Sequence, residues 1–356
     1  MTADLTATTT HVYRSVDVPV DGGLLHAGVW EPLGPTGAGA VGTVLAIHGV
    51  TAHHLAFCEL AARLPGVRVV APDLRGRGRS NVLPGPYGMP RHADDVAALA
   101  AALGVRRAVV VGHSMGGFVS VVLAHRHPVL VERLVLVDGG LPLALPAGVD
   151  LDAAMAAVLG PAAQRLSMTF ADHEAYRAFW RAHPAFTADW TERLGAYFDH
   201  DVDPVPGGLR PAARIEALSE DQAELFTGVS LLPALEALAV PTTFLRAPAG
   251  LLGAEPLYAP GHVAGWSERL PRLEVHDVPG VNHYTVVMAP HGAAAVADHV
   301  RRPGGGAVDD GGRFASGRRD DENAQQHPEQ RRSVVRHPST EPETPHTVDL
   351  TSEVDR

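Results

Sequence analysis

The chain has 356 residues, 46% of them hydrophobic, and a formal charge of −11, enough for a sizeable core and without the electrostatic footprint of a nucleic-acid binder. All 29 basic residues are arginine, which excludes chemistry that needs a lysine amine: a Schiff base, a pyridoxal-phosphate link, a Walker-type phosphate loop. Cys58 is the single cysteine, so no intrachain disulfide can form.

Met1–Thr10 lacks a basic and an apolar region, and no apolar run approaches 20 residues. A cytoplasmic protein with no membrane contact is the default expectation. Tyr13–Val20 alternates, Asp21-Gly22-Gly23 makes a turn and Leu24–Trp30 resumes, which predicts a β-hairpin. After the Gly/Pro loop Pro32–Gly42 comes a short buried strand, Val44–Ile47. A helix over Ala56–Leu64, carrying Cys58 as a small core residue, leads to the strand Val67–Ala71. The alanine-rich helix Arg91–Leu103 precedes the strand Ala108–Val111. The helix Phe118–His125 and the strand Leu134–Val137 follow. Continuous apolar runs alternating with amphipathic helices predict a mostly parallel sheet covered on both faces.

The pattern breaks between residues 141 and 235, which show no comparable buried strand and read as mainly helical. Eight aromatics fall between Phe170 and Phe198, as in a helical lid that either covers an apolar pocket or fills its own core. Strands return at Val240–Leu245 and Leu273–Val278, and a last helix spans Gly292–Val300. From Pro303 the sequence turns charged and Ser/Thr/Gln-rich, as in a disordered tail. The expected organisation is a flexible N-terminus over 1–11, a core from 12–140 and 236–302, a cap over 141–235 and a tail over 303–356.

Residues Gly112-His113-Ser114-Met115-Gly116-Gly117 follow a buried strand and open a helix. A G-x-S-x-G turn in that setting exposes the serine at the top of a sheet, so Ser114 is a candidate nucleophile. Its base would be His283, on the loop after the last strand. Backbone N–H groups of Met115 and of Val50, in the turn Ile47-His48-Gly49-Val50-Thr51, would form the oxyanion hole. His48 and His113 then read as packing residues. Two carboxylates compete for the third position. Asp138 ends the strand Leu134–Val137, and Glu255 lies in the loop after Val240–Leu245. Asp138 is preferred because a strand holds it rigidly. No His pair has i, i+3 or i, i+4 spacing, so no metal is expected.

Together Ile47-His48-Gly49-Val50, Pro72-Asp73-Leu74-Arg75-Gly76-Arg77-Gly78-Arg79-Ser80, the Ser114 hexapeptide and Gly280-Val281-Asn282-His283 resemble the α/β-hydrolase superfamily over residues 12–302. The resemblance is to its esterase, lactonase, cofactor-free haloperoxidase and C–C hydrolase group. It implies an α/β fold, a mostly parallel eight-stranded sheet with helices on both faces and an inserted helical cap. It also implies a Ser114-His283-acid triad, a structural role for Asp73–Ser80 and no cofactor. The family's usual acid in the turn after Val240–Leu245 is missing here until Glu255, which keeps Asp138 first. A serine nucleophile speaks against the epoxide-hydrolase and dehalogenase branches, which use aspartate. The expected activity is hydrolysis of a small-to-medium apolar ester, thioester or lactone. Alternatives are C–C hydrolysis of diketone-type substrates and a non-catalytic ligand-binding protein.

Overall fold

Alternation of side chains decides which faces of the sheet are buried. The computed structural model describes residues 8–34, 42–145, 148–150, 153, 164–253 and 255–302, within the unit Met1–Ala307. In chain order its strands are β1 (His11–Val20), β2 (Gly23–Pro32), β3 (Thr43–Ile47), β4 (Arg68–Pro72), β5 (Ala108–His113), β6 (Val131–Val137), β7 (Val202–Val205), β8 (Gly208–Pro211), β9 (Thr242–Arg246) and β10 (Leu273–Asp277). Leu45, Ile47, Val110, Leu134 and Leu136 join one core, while Val44, Ala46, Val109, Val111, Val135 and Val137 join another on the opposite face. Apolar residues on both faces force helices onto both faces.

The eight-stranded sheet runs β1-β2-β4-β3-β5-β6-β9-β10. The hairpin β1–β2 is antiparallel and joins β4 antiparallel; the remaining pairs are parallel. The fold class expected from the sequence is therefore the one observed, with the antiparallel exception confined to one edge.

Several boundaries move. The helix after Ser114 starts at Met115, not Phe118, because the turn at Ser114 delivers the chain directly into helical geometry. The stretch 141–235 is not all helix: β7 and β8 form a two-stranded hairpin in it, each strand too short for periodicity to register. The helix expected over Ala56–Leu64 is a 3₁₀ turn, His54–Phe57, followed by Cys58–Ala62, with Cys58 buried. The expected tail and most of the expected flexible N-terminus lie outside the described residues, as does part of the expected cap. Among the described residues no helix is long and apolar enough to cross a membrane.

The sheet and the helix Met115–Arg126 meet closely at Gly116. A Cβ there would sit 2.0 Å from the Ile47 carbonyl oxygen, a backbone atom in β3 that cannot rotate aside. Gly116→Ala is expected to cost about 1–3 kcal/mol of stability, read as a lower urea midpoint at constant m.

Candidate active site

The register of the parallel strands levels their carboxyl ends. Ile47 pairs with Gly112, His113 with Val137, Val137 with Leu245 and Arg246 with Asp277. The chain therefore leaves the sheet on one edge at His48, Ser114, Asp138, Ala247 and Val278, the edge where α/β sheets hold ligands.

Ser114 has φ 54° and ψ −126°, a strained conformation for a residue with a Cβ, costing about 1–3 kcal/mol. Hydrogen bonds hold both of its ends. Its N–H donates to the Val137 carbonyl at 3.0 Å, and its carbonyl accepts from Gly117 N–H at 2.9 Å. The side chain is thereby delivered to a cavity of about 520 Å³. Met115 heads the helix Met115–Arg126, so its N–H has no acceptor within that helix. In the β3 loop the Gly49 carbonyl is turned onto the His48 ring N–H at 2.7 Å and Ala52 N–H at 3.2 Å. A trans peptide then points the Val50 N–H the opposite way. A Cβ on Gly49 would lie 3.0 Å from Ser114 Cβ, so a larger residue would push the loop and the serine apart by a few tenths of an ångström.

His283 and Asp138 are brought together and Glu255 is not. His283 Nδ1–H donates to Asp138 Oδ2 at 2.7 Å, and both side chains are buried. A carboxylate only accepts, so the proton sits on Nδ1. Asp138 Oδ1 accepts from Ala247 N–H at 3.1 Å, and the Asp138 N–H donates to Leu245 at 2.8 Å. Glu255 lies exposed at the cavity rim. The His283 loop is fixed twice more. His113 Nε2–H donates to the His283 carbonyl at 2.7 Å, and Asn282 Nδ2 donates to the Ala185 carbonyl at 2.8 Å.

His48 and His113 act as neutral pins. Burial pulls His48 down to about 4, and its Nε2 accepts from Leu74 N–H at 2.9 Å. Burial, with the charge of His283, takes His113 well below the usual histidine range. The Asp73–Ser80 loop is organised by a second buried pair, His54 Nδ1 to Asp73 Oδ1 at 2.7 Å. Burial alone would raise the Asp73 carboxyl, but His54 holds it well below its ordinary value.

Sequence spacing missed two clusters. One nitrogen each of His53, His54 and His200 lie within 4.8 Å of one another, and so do ligand atoms of His26, His54 and Asp73. These are the sets that could hold a metal, although Asp73 and the Tyr13 hydroxyl already occupy both His54 nitrogens. The second cluster is Arg165, Tyr176 and Asp201 in the cavity wall region. The adjacent His53-His54 is visible in the sequence, but nothing local points to His200 beside it or joins Arg165 and Tyr176 to Asp201. In the aromatic run, Trp180, Phe186 and Phe198 belong to a buried core and also line the cavity.

A family model described as the alpha/beta hydrolase fold matches residues 42–208. A 2-(acetamidomethylene)succinate hydrolase of Mesorhizobium japonicum is 31% identical over 249 residues, covering 69% of this chain and 83% of that protein. The lipase LipV of Mycobacterium tuberculosis is 43% identical over 123 residues, 33% of this chain and 43% of the lipase. Among solved structures, E-2-(acetamidomethylene)succinate hydrolase superposes with a TM-score of 0.64 at 25% identity, covering 81% of this chain and 98% of that one.

The depressed histidines make stability depend on pH. A histidine held below 6.5 in the folded protein must be charged in the unfolded chain first, so stability is full above 6.5 and lost as pH falls toward the folded value. For His48 that window runs from 6.5 to about 4, and burial extends it for His200 to about 3. Unfolding midpoints are expected to fall steadily across this range. His200→Gln should give a shallower slope, measured by urea titration at each pH.

Proposed function

The chain belongs to the α/β-hydrolase family, whose relatives here are hydrolases, and from that premise we propose that it is a serine hydrolase of a carboxylic ester, thioester or lactone. The observation that carries this reading is the opening of the Asp138–His283 pair and the strained Ser114 onto one cavity. Ser114 Oγ attacks the carbonyl carbon while His283 Nε2 takes the hydroxyl proton. The Val50 and Met115 N–H groups receive the oxyanion. Collapse expels the alcohol or thiol, which takes the proton from His283 and leaves an acyl group on Ser114. Water, deprotonated by His283, then releases the acid and restores the serine.

Asp138 is the proposed orienting acid. Its carboxylate fixes the tautomer that leaves Nε2 free to accept, and it stabilises the imidazolium as it forms. Phe179, Trp180, Phe186, Phe198, Leu251 and Leu252 line the cavity and suit a largely apolar acyl group of small to medium size. Phe179, Trp180, Phe186, Tyr197 and Phe198, all within the proposed cap over 141–235, supply most of the aromatic side chains of that wall. The relative named for hydrolysing an acetamidomethylene succinate supports a compact acyl compound rather than a polymer.

Ser114→Ala is expected to abolish turnover of 4-nitrophenyl esters and labelling by a fluorophosphonate probe. Labelling of the alanine variant at the wild-type level overturns the assignment. Asp138→Asn should lower kcat by about 10⁴-fold and Glu255→Gln by far less. The opposite ranking would move the acid to Glu255.

A further inference from the structure

Among the described residues the cavity wall contains one arginine, which the proposed hydrolysis leaves unused. Arg165 is 4% exposed and lines the cavity together with Asp201. Its Nη1 donates to the Tyr176 hydroxyl and, at 3.0 Å, to Asp201 Oδ2. The Tyr176 hydroxyl also donates to Asp201 Oδ2, and the Trp180 ring lies 5.1 Å from the guanidinium carbon. One nitrogen therefore makes both polar contacts.

That geometry differs from three of the protein's arginine–aspartate pairs, which are two-pronged. Arg75 meets Asp95 through Nε at 2.9 Å and Nη2 at 3.0 Å. Arg246 meets Asp277 through Nε at 2.7 Å and Nη2 at 2.6 Å. Arg126 holds Asp94 in the same two-pronged way. In each, the planar fork of the guanidinium is spent on the carboxylate. In Arg165 the Nε and Nη2 edge has no hydrogen-bond partner among the described residues. Buried Arg77 also meets its aspartate through one nitrogen, Nη2 to Asp221 Oδ2 at 2.7 Å, but its Nε and Nη1 are spent on the carbonyls of Val50 and Arg75, whereas the Arg165 edge has no such partners among the described residues.

We propose that Arg165 is the substrate's anchor: the acyl compound has an apolar body and a terminal carboxylate, which the Nε and Nη2 edge receives while the scissile carbonyl lies at Ser114. This rests on the hydrolase reading above. A monoanion fits better than a phosphate dianion. Arg165 is the one arginine in the described cavity lining, and Asp201 offsets part of its charge.

The test compares 4-nitrophenyl hydrogen adipate with 4-nitrophenyl hexanoate, which share a six-carbon acyl chain and differ in a carboxylate or methyl end. Wild-type kcat/KM should favour the adipate by about tenfold or more, carried by KM. The double variant Arg165→Met/Asp201→Leu, which leaves no buried charge unpaired, should bring the ratio to about one. Asp201→Asn, which frees the arginine's charge, should raise the ratio above wild type, an effect that a purely structural ion pair would not give. A wild-type ratio of one or below overturns the proposal, as does a ratio that neither change moves. If neither ester is turned over, the hydrolase reading fails and the anchor is judged by binding. Adipate, but not hexanoate, should then raise the wild-type Tm, and equal or absent shifts overturn it.

Discussion

Among the described residues only two non-glycine positions have positive φ, Ser114 at 54° and Asp138 at 46°, and they end the adjacent parallel strands β5 and β6. The ladder that holds those strands also holds the strain. Ser114 N–H bonds Val137 and Asp138 N–H bonds Leu245, so each strained residue is tied to the next strand along. Conformations that cost about 1–3 kcal/mol each persist only where the surroundings over-determine them. Here the over-determination comes from a sheet apolar on both faces and sealed by helices. The proposed nucleophile and its proposed acid are thus positioned by the same backbone device, one strand apart.

A histidine beside a carboxylate is not in itself a catalytic pair, because this protein has several, two of them nearly alike. His54–Asp73 and His283–Asp138 both have a ring nitrogen 2.7 Å from a buried carboxylate. What separates them is the far side of each ring. His54 Nε2 is held by the Tyr13 hydroxyl at 2.8 Å and the pair organises a loop. His283 lines the cavity beside Ser114. His48 and His113, held neutral by burial, complete the division, since each spends its N–H on a loop carbonyl. The ring nearest the chemistry is therefore supported by neighbours that do not compete for its proton.

What was legible in the sequence lies where an apolar run stops. Ile47, His113 and Val137 end buried strands, so the residues after them could be placed on one edge before any distance was known, and Val50, Ser114, Met115, Asp138 and His283 all stand there. Glu255 shares that edge, so the sequence could prefer Asp138 only for its place at the end of a strand; the 2.7 Å contact of His283 is with Asp138. The hairpin β7–β8, the His53–His54–His200 cluster and the Arg165–Asp201 pair were not legible. Strands of four residues are too short to show alternation, and contacts between distant segments have no local period.

The aromatic wall and the proposed anchor depend on one another. Trp180, Phe186 and Phe198 pack as a core and still face the cavity, so the wall is rigid as well as apolar. A guanidinium set in such a wall interacts more strongly with an anion than it would in water, because little solvent remains to screen it. Its clamp on Tyr176 and Asp201 fixes where that interaction occurs. With the proposed oxyanion donors at one point and the proposed anchor at another, the cavity becomes a gauge. An acyl chain of the matching length reaches both, while a shorter or longer one reaches only one of them. On the reading proposed here, selectivity then comes from the span between two rigid groups rather than from the apolar surface, which would accept any body of suitable volume.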